Sequence, residues 1–173
     1  KGAFNGCALL TSITIPDSVT SILGDTFRGC ISLKSIGIPS SVITIDNTAF
    51  MDCTNLTIYC EQGSYADTYA QTNNIPIVYT DVSDMATETE LERLKYYGDK
   101  DIIPSDASYF TVSGNTITGL TETGETQTEL FIPYEINGVT ITCIRGDITT
   151  DKPAISTAQK VILPNSITKI GNV

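Results

Sequence analysis

Residues 4–22 read FNGCALLTSITIPDSVTSI, and residues 27–45 read FRGCISLKSIGIPSSVITI. The two segments carry phenylalanine, cysteine, leucine, isoleucine, proline and valine at matching positions, 23 residues apart. A third copy begins at Phe50 and keeps Cys53 and Leu56 at the same spacing. Self-similarity at a period of 20 to 30 residues is typical of a solenoid, in which each coil buries its apolar side against its neighbours. The period therefore predicts a β-rich solenoid of 23-residue coils.

Each repeat also predicts its own local structure. Leu10, Ile13 and Ile15 follow the L-x-x-I-x-I spacing of a leucine-rich repeat, a short parallel strand whose alternate side chains face the coil interior. Proline ends this strand because it cannot donate a hydrogen bond to the next coil. We expect a second short strand within residues 18–22 and a tight helical turn over residues 25–30, with phenylalanine and cysteine pointing inward.

The residues that recur in this pattern carry a family resemblance. Residues 3–22 and 26–45 resemble the BspA-type leucine-rich repeats of bacterial, and some protist, surface proteins. The resemblance implies a secreted or wall-attached protein, located outside the cell or on its surface. It also implies adhesion to host or extracellular-matrix proteins as the function.

The third unit loses the pattern after its strand, which predicts a C-terminal cap for an array over residues 1–80. Ser64 is placed to cap a helix, with Asp67 three residues later. Residues 73–74 are both asparagine and suit a left-handed helix end. Residues 75–79 then return as a strand. Helix and strand together would cover the open edge of the last coil, which otherwise favours aggregation.

Beyond this cap the repeat is interrupted and then resumes. Residues 81–106 form an acidic linker, in which residues 87–97 have helix formers at amphipathic spacing; this helix would pack on a neighbouring domain or bind a partner. Residues 107–173 are expected to hold an N-terminal cap with hairpin turns and the first coils of a second leucine-rich-repeat array. Ile144 and Ile170 are 26 residues apart, so one coil there carries about three extra residues. Because both ends fall inside a unit, we expect an internal piece of a longer protein.

Composition excludes several classes of function. The chain has ten basic and 20 acidic residues, a net charge of −10, and no histidine. A surface of this charge repels nucleic acid. No apolar run reaches the 18 to 20 residues of a membrane span. Without histidine, the Ser-His-Asp and Cys-His arrangements cannot form. We therefore predict no enzyme activity, no catalytic residues and no cofactor.

The five cysteines suggest a metal or disulfide site, but the repeat gives them another role. Cys7, Cys30 and Cys53 occupy one repeat position and should stack as an inward ladder about 4.8 Å apart. Side chains that project in parallel rarely meet the dihedral angle of a disulfide. The ladder also lacks a C-x2-4-C pair and tetrahedral convergence, so we predict no zinc site. Buried thiols acting as small apolar fillers are the expected state.

The remaining candidate for function is the solenoid surface. Outward positions of successive strands form one extended face, the surface on which repeat proteins bind large partners. The candidate partner-binding residues are Ser12, Thr14, Lys34, Ser35 and Gly37. Small polar side chains fit a protein or a glycan ligand, and they equally fit a solvated sheet. The alternatives are a structural spacer that displays another domain of a larger secreted protein and, more remotely, a glycan-degrading enzyme with two facing carboxylates.

Overall fold

A computed structural model describes residues 2–13, 15–79, 105–146, 155 and 157–171. Within these residues the chain consists of very short strands joined by turns, as expected of a repeat solenoid. The first segment contains β1 (Ser12–Ile13), β2 (Ser21–Ile22), β3 (Ser35–Gly37), β4 (Thr44–Ile45), β5 (Thr57–Cys60), α1 (Tyr65–Thr72) and β6 (Ile77–Tyr79). The second contains β7 (Phe110–Ser113), β8 (Thr116–Leu120), β9 (Glu129–Phe131), β10 (Glu135–Ile136), β11 (Val139–Thr140), β12 (Cys143–Ile144), β13 (Lys160–Ile162) and β14 (Lys169–Ile170), with 3-10 turns at Ala107–Tyr109 and Gly124–Thr126.

Two sides of the coils carry most of the strands. On the first side, β9, β13 and β1 form one parallel sheet, and β3, β5 and β6 form another. On the second side, a six-stranded sheet runs in the order β4, β2, β14, β12, β8, β7, parallel except for the β7–β8 hairpin. The pairs β1–β13 and β2–β14 join the two segments of the chain. The division into two arrays, with boundaries at residues 80 and 106, stays a prediction.

One hydrophobic core runs through both segments. In the first segment the repeated phenylalanines stack along it: the ring centroids of Phe4 and Phe27 are 5.3 Å apart, and those of Phe27 and Phe50 are 5.2 Å apart. The Tyr69 ring of α1 meets Phe50 edge-on at 6.0 Å. Phe27 and Cys30 are fully buried in their turn, as the repeat predicts. Because each coil of the first segment offers the same ring at the same place, the 23-residue period becomes a column of aromatic contacts.

The predicted helix is confirmed, and of the two asparagines predicted to suit a left-handed end, the second adopts it. The Ser64 side chain accepts a hydrogen bond from the Asp67 backbone N–H at 3.2 Å, so Ser64 is the N-cap of α1. Asn73 is the C-cap, but its φ is −97°, so it is not left-handed. The left-handed residue is Asn74, with φ 54°. The left-handed residue that ends the helix is therefore the second asparagine of the pair, one residue after the C-cap.

In the second segment, one of the expected hairpin turns is present between β7 and β8, at Gly114 and Asn115. A second hairpin, β10–β11, turns at Asn137 and Gly138, and both have positive φ, as a two-residue type I′ turn requires. The extra residues of the coil that ends at Ile170 are confirmed by the strand register, because Ile170 pairs with Ile144. The predicted helix over residues 87–97 lies outside the described residues.

Candidate protein-interaction surface

The outward side of the first-side strands forms one surface, here called the strand face. Along each strand the side chains alternate, so the residues on either side of a core isoleucine, valine or leucine face outward. The parallel register aligns these outward positions into two rows across the strands. The first row contains Glu129, Lys160 and Ser12 on one sheet, and Ser35 and Thr57 on the other. The second row contains Phe131 and Ile162 on one sheet, and Gly37, Tyr59 and Val78 on the other.

The structure brings most of the predicted site residues onto this face. Ser12 on β1 and Ser35 on β3 are half-buried and lie on neighbouring strands. Gly37, also half-buried, pairs with Tyr59 of β5. Lys34 is exposed just before β3, and its carbonyl accepts a hydrogen bond from the Thr57 backbone N–H at 2.9 Å. Thr14 lies outside the described residues.

Sequence reasoning missed the aromatic and apolar part of the strand face. Tyr59 is half-buried on β5, and Val78 of β6 is 38% exposed. These residues follow the point at which the repeat motif is lost, so the motif did not extend the face to them. The usable signal is register: Ile58 is the core residue of its strand, which places Tyr59 outward.

The strand face is not equally open along its length. Val161 and Leu163 belong to the hydrophobic core, so Ile162 between them points to the opposite side of the strand. Ile162 is nevertheless only 4% exposed. Access for a large partner is therefore better at the β3–β5–β6 end, where Lys34, Tyr59 and Val78 lie, than at β13.

All five cysteines are free thiols; Cys7, Cys30 and Cys60 are buried, as expected of apolar fillers, whereas Cys53 and Cys143 are only half-buried. Cys30 Sγ donates to the carbonyl of Phe4 at 3.1 Å, Cys53 Sγ donates to that of Phe27 at 2.9 Å, and Cys7 Sγ donates to that of Ile155. The hydrogen bond with the Cys30 thiol, followed by burial, raises the pKa of Cys53. A thiol held protonated in this way is a poor nucleophile and a poor metal ligand.

The described residues also hold a cleft of about 460 Å³, between the turn of the third coil and the end of α1. Phe50, Tyr69, Asn73 and Pro76 contribute to its walls. Its lining includes one carboxylate, Asp52, whose Oδ2 lies 3.5 Å from Arg28 Nε. A general acid and base pair for glycoside hydrolysis needs two carboxylates across a cleft, and this lining does not provide them. The cleft is therefore not arranged for that reaction.

In the part of the chain that the structure describes, no group of three or more Cys, Asp or Glu side chains could hold a metal ion. No helix within the described ranges has the length and apolar character needed to cross a bilayer. Asp67, at the start of α1, instead serves local structure: it accepts hydrogen bonds from Gly63 N–H, Gln71 Nε2 and Tyr79 Oη.

Comparison with known proteins supports the repeat assignment. A family model described as BspA-type leucine-rich repeat region (6 copies) matches residues 1–95, more than half of the chain. No curated protein and no solved structure matches the chain significantly. Proteins of this family are in general non-enzymatic binding scaffolds, and typically they are surface or secreted bacterial proteins. The chain belongs to the BspA-type leucine-rich repeat family.

Proposed function

We propose that this chain is a non-enzymatic adhesion module of a secreted or cell-surface bacterial protein, and that it binds host or extracellular-matrix proteins through the strand face. The observation that carries the proposal is the alignment of outward residues from successive coils into continuous rows. Repeat proteins bind large partners through extended surfaces of this kind. The proposed contact residues are Ser12, Thr14, Lys34, Ser35 and Gly37.

The chemistry of the open end favours a protein partner. Short polar side chains such as Ser35 and Thr57 lose little rotamer freedom on binding, and they leave the surface flat. Tyr59 and Val78 add aromatic and apolar area beside them, the kind of side chain that is enriched at interface centres. Exposed Lys34 gives this end a positive charge within a chain of net charge −10. Together these features suit a flat partner protein with polar and apolar surface better than a ligand that needs a deep pocket.

Surface plasmon resonance of the intact chain against purified extracellular-matrix proteins tests this proposal. Ser35→Arg places a long charged side chain on the strand face and should weaken binding at least about tenfold, equivalent to about 1.4 kcal/mol. Ser21→Arg is the matched control, because Ser21 is also a half-buried strand serine but lies on the second side of the coils. Equal effects of the two variants, or no binding by the intact chain, would contradict the proposal.

A second candidate function is a structural spacer that displays another domain. It is favoured by the strand pairing that joins the two segments, because continuous ladders make a stiff body. In this proposal α1 and β6 cap the array of residues 1–80, residues 81–106 link it to the next array, and β7 and β8 cap the array of residues 107–173. A spacer would show rigid dimensions in small-angle scattering and no change in affinity for any tested protein with Ser35→Arg.

A further inference from the structure

The contact between the coil of residues 157–171 and the coil of residues 2–22, here called the seam, joins parts of the chain that are 148 positions apart. It is parallel on both sides of the coil. Ser12 pairs with Lys160 on the first side, and Ser21 pairs with Lys169 on the second. The seam therefore continues the ladder between segments that the backbone does not join directly.

The seam repeats the hydrogen bonds found between consecutive coils. Ser18 Oγ donates to the carbonyl of Ile167 at 2.6 Å, as Ser41 Oγ, one repeat later, donates to that of Val19 at 3.0 Å. The Leu23 N–H donates to the carbonyl of Ile170 at 3.3 Å, and the Asp46 N–H donates to that of Ile22 at 3.0 Å. These are equivalent repeat positions, so each edge of the seam presents the bonding pattern that an ordinary next coil would use.

Burial and close packing at the seam match those elsewhere in the solenoid. Ile22, Val161 and Ile170 are at most 1% exposed, so neither coil face is left open at the seam. Gly171 approaches the first segment so closely that a Cβ there would lie 2.3 Å from Thr26 Oγ1 and 3.1 Å from Leu23 Cβ. A side chain at position 171 would therefore disturb the seam directly.

The connection between the segments is long enough for the seam to form within one chain. From β6 to β9 the first-side strands span five spacings of roughly 4.8 Å, or about 24 Å in total. The intervening residues 80–104 can extend to roughly 80 Å, so they reach this distance easily within one chain. The Ser105 N–H donates to the Phe131 carbonyl at 2.9 Å, so the connection ends beside β9. Nothing in the seam itself requires that its two edges belong to the same molecule.

We propose that the two edges of the seam are a self-recognition site, and that its occupant between molecules is a second copy of this chain. The edge of residues 157–171 in one copy pairs with the edge of residues 2–22 in the next, in the register of the seam. The contact is heterologous, so it joins chains head to tail. In the intact chain the linker holds the edges at an effective concentration on the order of millimolar, which favours closure within one molecule.

Shortening the connection tests this directly. Removal of residues 83–103 leaves a link that reaches at most about 18 Å, which is too short for closure within one chain. Light scattering coupled to size-exclusion chromatography should then show masses of two or more chains. Replacing the same residues with glycine and serine at unchanged length is the control, and it should behave as the intact chain of 18.6 kDa does. A shortened chain that remains monomeric with an unchanged circular dichroism spectrum would overturn the proposal.

Two glycine variants separate the seam from other contacts. In the shortened chain, Gly171→Ala should convert the oligomer to monomers because its Cβ collides across the seam. Gly138→Ala should leave the oligomer intact: Gly138 also has positive φ, at 79°, but a Cβ there meets nothing within 4 Å. An oligomer that persists with Gly171→Ala would also overturn the proposal.

If the shortened chain does not fold, a measurement on the intact chain tests the self-recognition site instead. Two isotopically labelled samples of the intact chain are unfolded, mixed and refolded at concentrations on the order of 1 µM and several millimolar, which bracket the effective concentration of the linker. Native mass spectrometry should detect mixed-label oligomers only in the concentrated sample, and fewer of them with Gly171→Ala. Absence of mixed-label species at the high concentration would count against the self-recognition site.

Discussion

Residues 2–60 and residues 105–171 build their coils by different means. The first region keeps a period of 23 residues from Phe4 to Leu56, with stacked phenylalanines and thiol hydrogen bonds at matching positions, and the next strand pair, Ile36 with Ile58, is 22 residues apart. In the second region Leu130 pairs with Val161, 31 residues later, and a hairpin, β10–β11, projects from one coil. Ile155 and Ala158 lie 148 positions after Cys7 and Leu10, which is the same separation as that of the paired residues at the seam.

The strand register is nevertheless the same in both regions. Ile144, Ile170, Ile22 and Ile45 pair in series along the second-side sheet. The extra residues of the second region lie between paired strands and not within them. The strand register is therefore kept in both regions, while the segments between the strands differ in length and composition.

The largest effect is expected at the centre of the regular region. Phe27→Ala removes the middle ring of the stack, and it should lower the free energy of unfolding by about 3–5 kcal/mol. Urea denaturation followed by circular dichroism measures this. Ile31→Ala, four residues away and 53% exposed, is the control and should change the free energy by less than about 0.5 kcal/mol. Similar losses for the two variants would mean that the stack does not stabilise the first region.

The second-largest effect tests whether the second region unfolds together with the first. Ile170→Ala should lower the free energy of unfolding by about 2–5 kcal/mol, because Ile170 is fully buried between β12 and β2. Ile22→Ala, the equivalent change across the seam, should give a similar loss in the same urea titration. A loss below about 1 kcal/mol for Ile170→Ala alone would show that the second region unfolds separately.

A smaller and equal effect is expected from turn glycines in the two regions. Gly6 has φ 73° and Gly138 has φ 79°, and a Cβ at either position meets nothing within 4 Å. Gly6→Ala and Gly138→Ala should therefore each lower the free energy of unfolding by about 1 kcal/mol, from backbone strain alone. Thermal unfolding of both variants checks this. A clearly larger loss of stability with Gly6→Ala would show that the turns of the first region tolerate a non-glycine residue less well.

The smallest effect concerns pH at the end of the regular region. The Gly63 backbone N–H, followed by the Gln71 amide and the Tyr79 hydroxyl, lowers the pKa of Asp67 below its ordinary value of 3.8. A carboxylate of lowered pKa stabilises the folded state above its unfolded pKa, and this contribution disappears as pH falls through the folded pKa. Asp67→Asn should therefore lower the melting temperature at pH 7, and the difference should shrink below about pH 4.

Thermal melts of the intact chain and of Asp67→Asn between pH 7 and pH 2 provide the measurement. Glu122→Gln is the control, because Glu122 is an exposed carboxylate of the second region. A difference between Asp67→Asn and the intact chain that stays constant down to pH 2 would contradict the assigned hydrogen bonds.

Much of the fold could be predicted because its determinants lie within one repeat. The inward faces of β1 and β3, the buried turn at Phe27 and Cys30, and the Ser64 cap each depend on residues a few positions apart. Prediction weakened where the motif faded. No repeated residue marks the outward position of Tyr59 or the β10–β11 hairpin, although Ile58 and the Asn137-Gly138 turn are local signals for them.

The 23-residue period alone specifies a solenoid, its core face and the stacking of like residues, since it repeats one local pattern that has to bury the same side each time. The pairing of the edge of residues 157–171 with the edge of residues 2–22 is visible only in the folded molecule. Every coil edge offers nearly the same hydrogen bonds and apolar row. Local sequence can specify such an edge, but it cannot specify which other edge will pair with it.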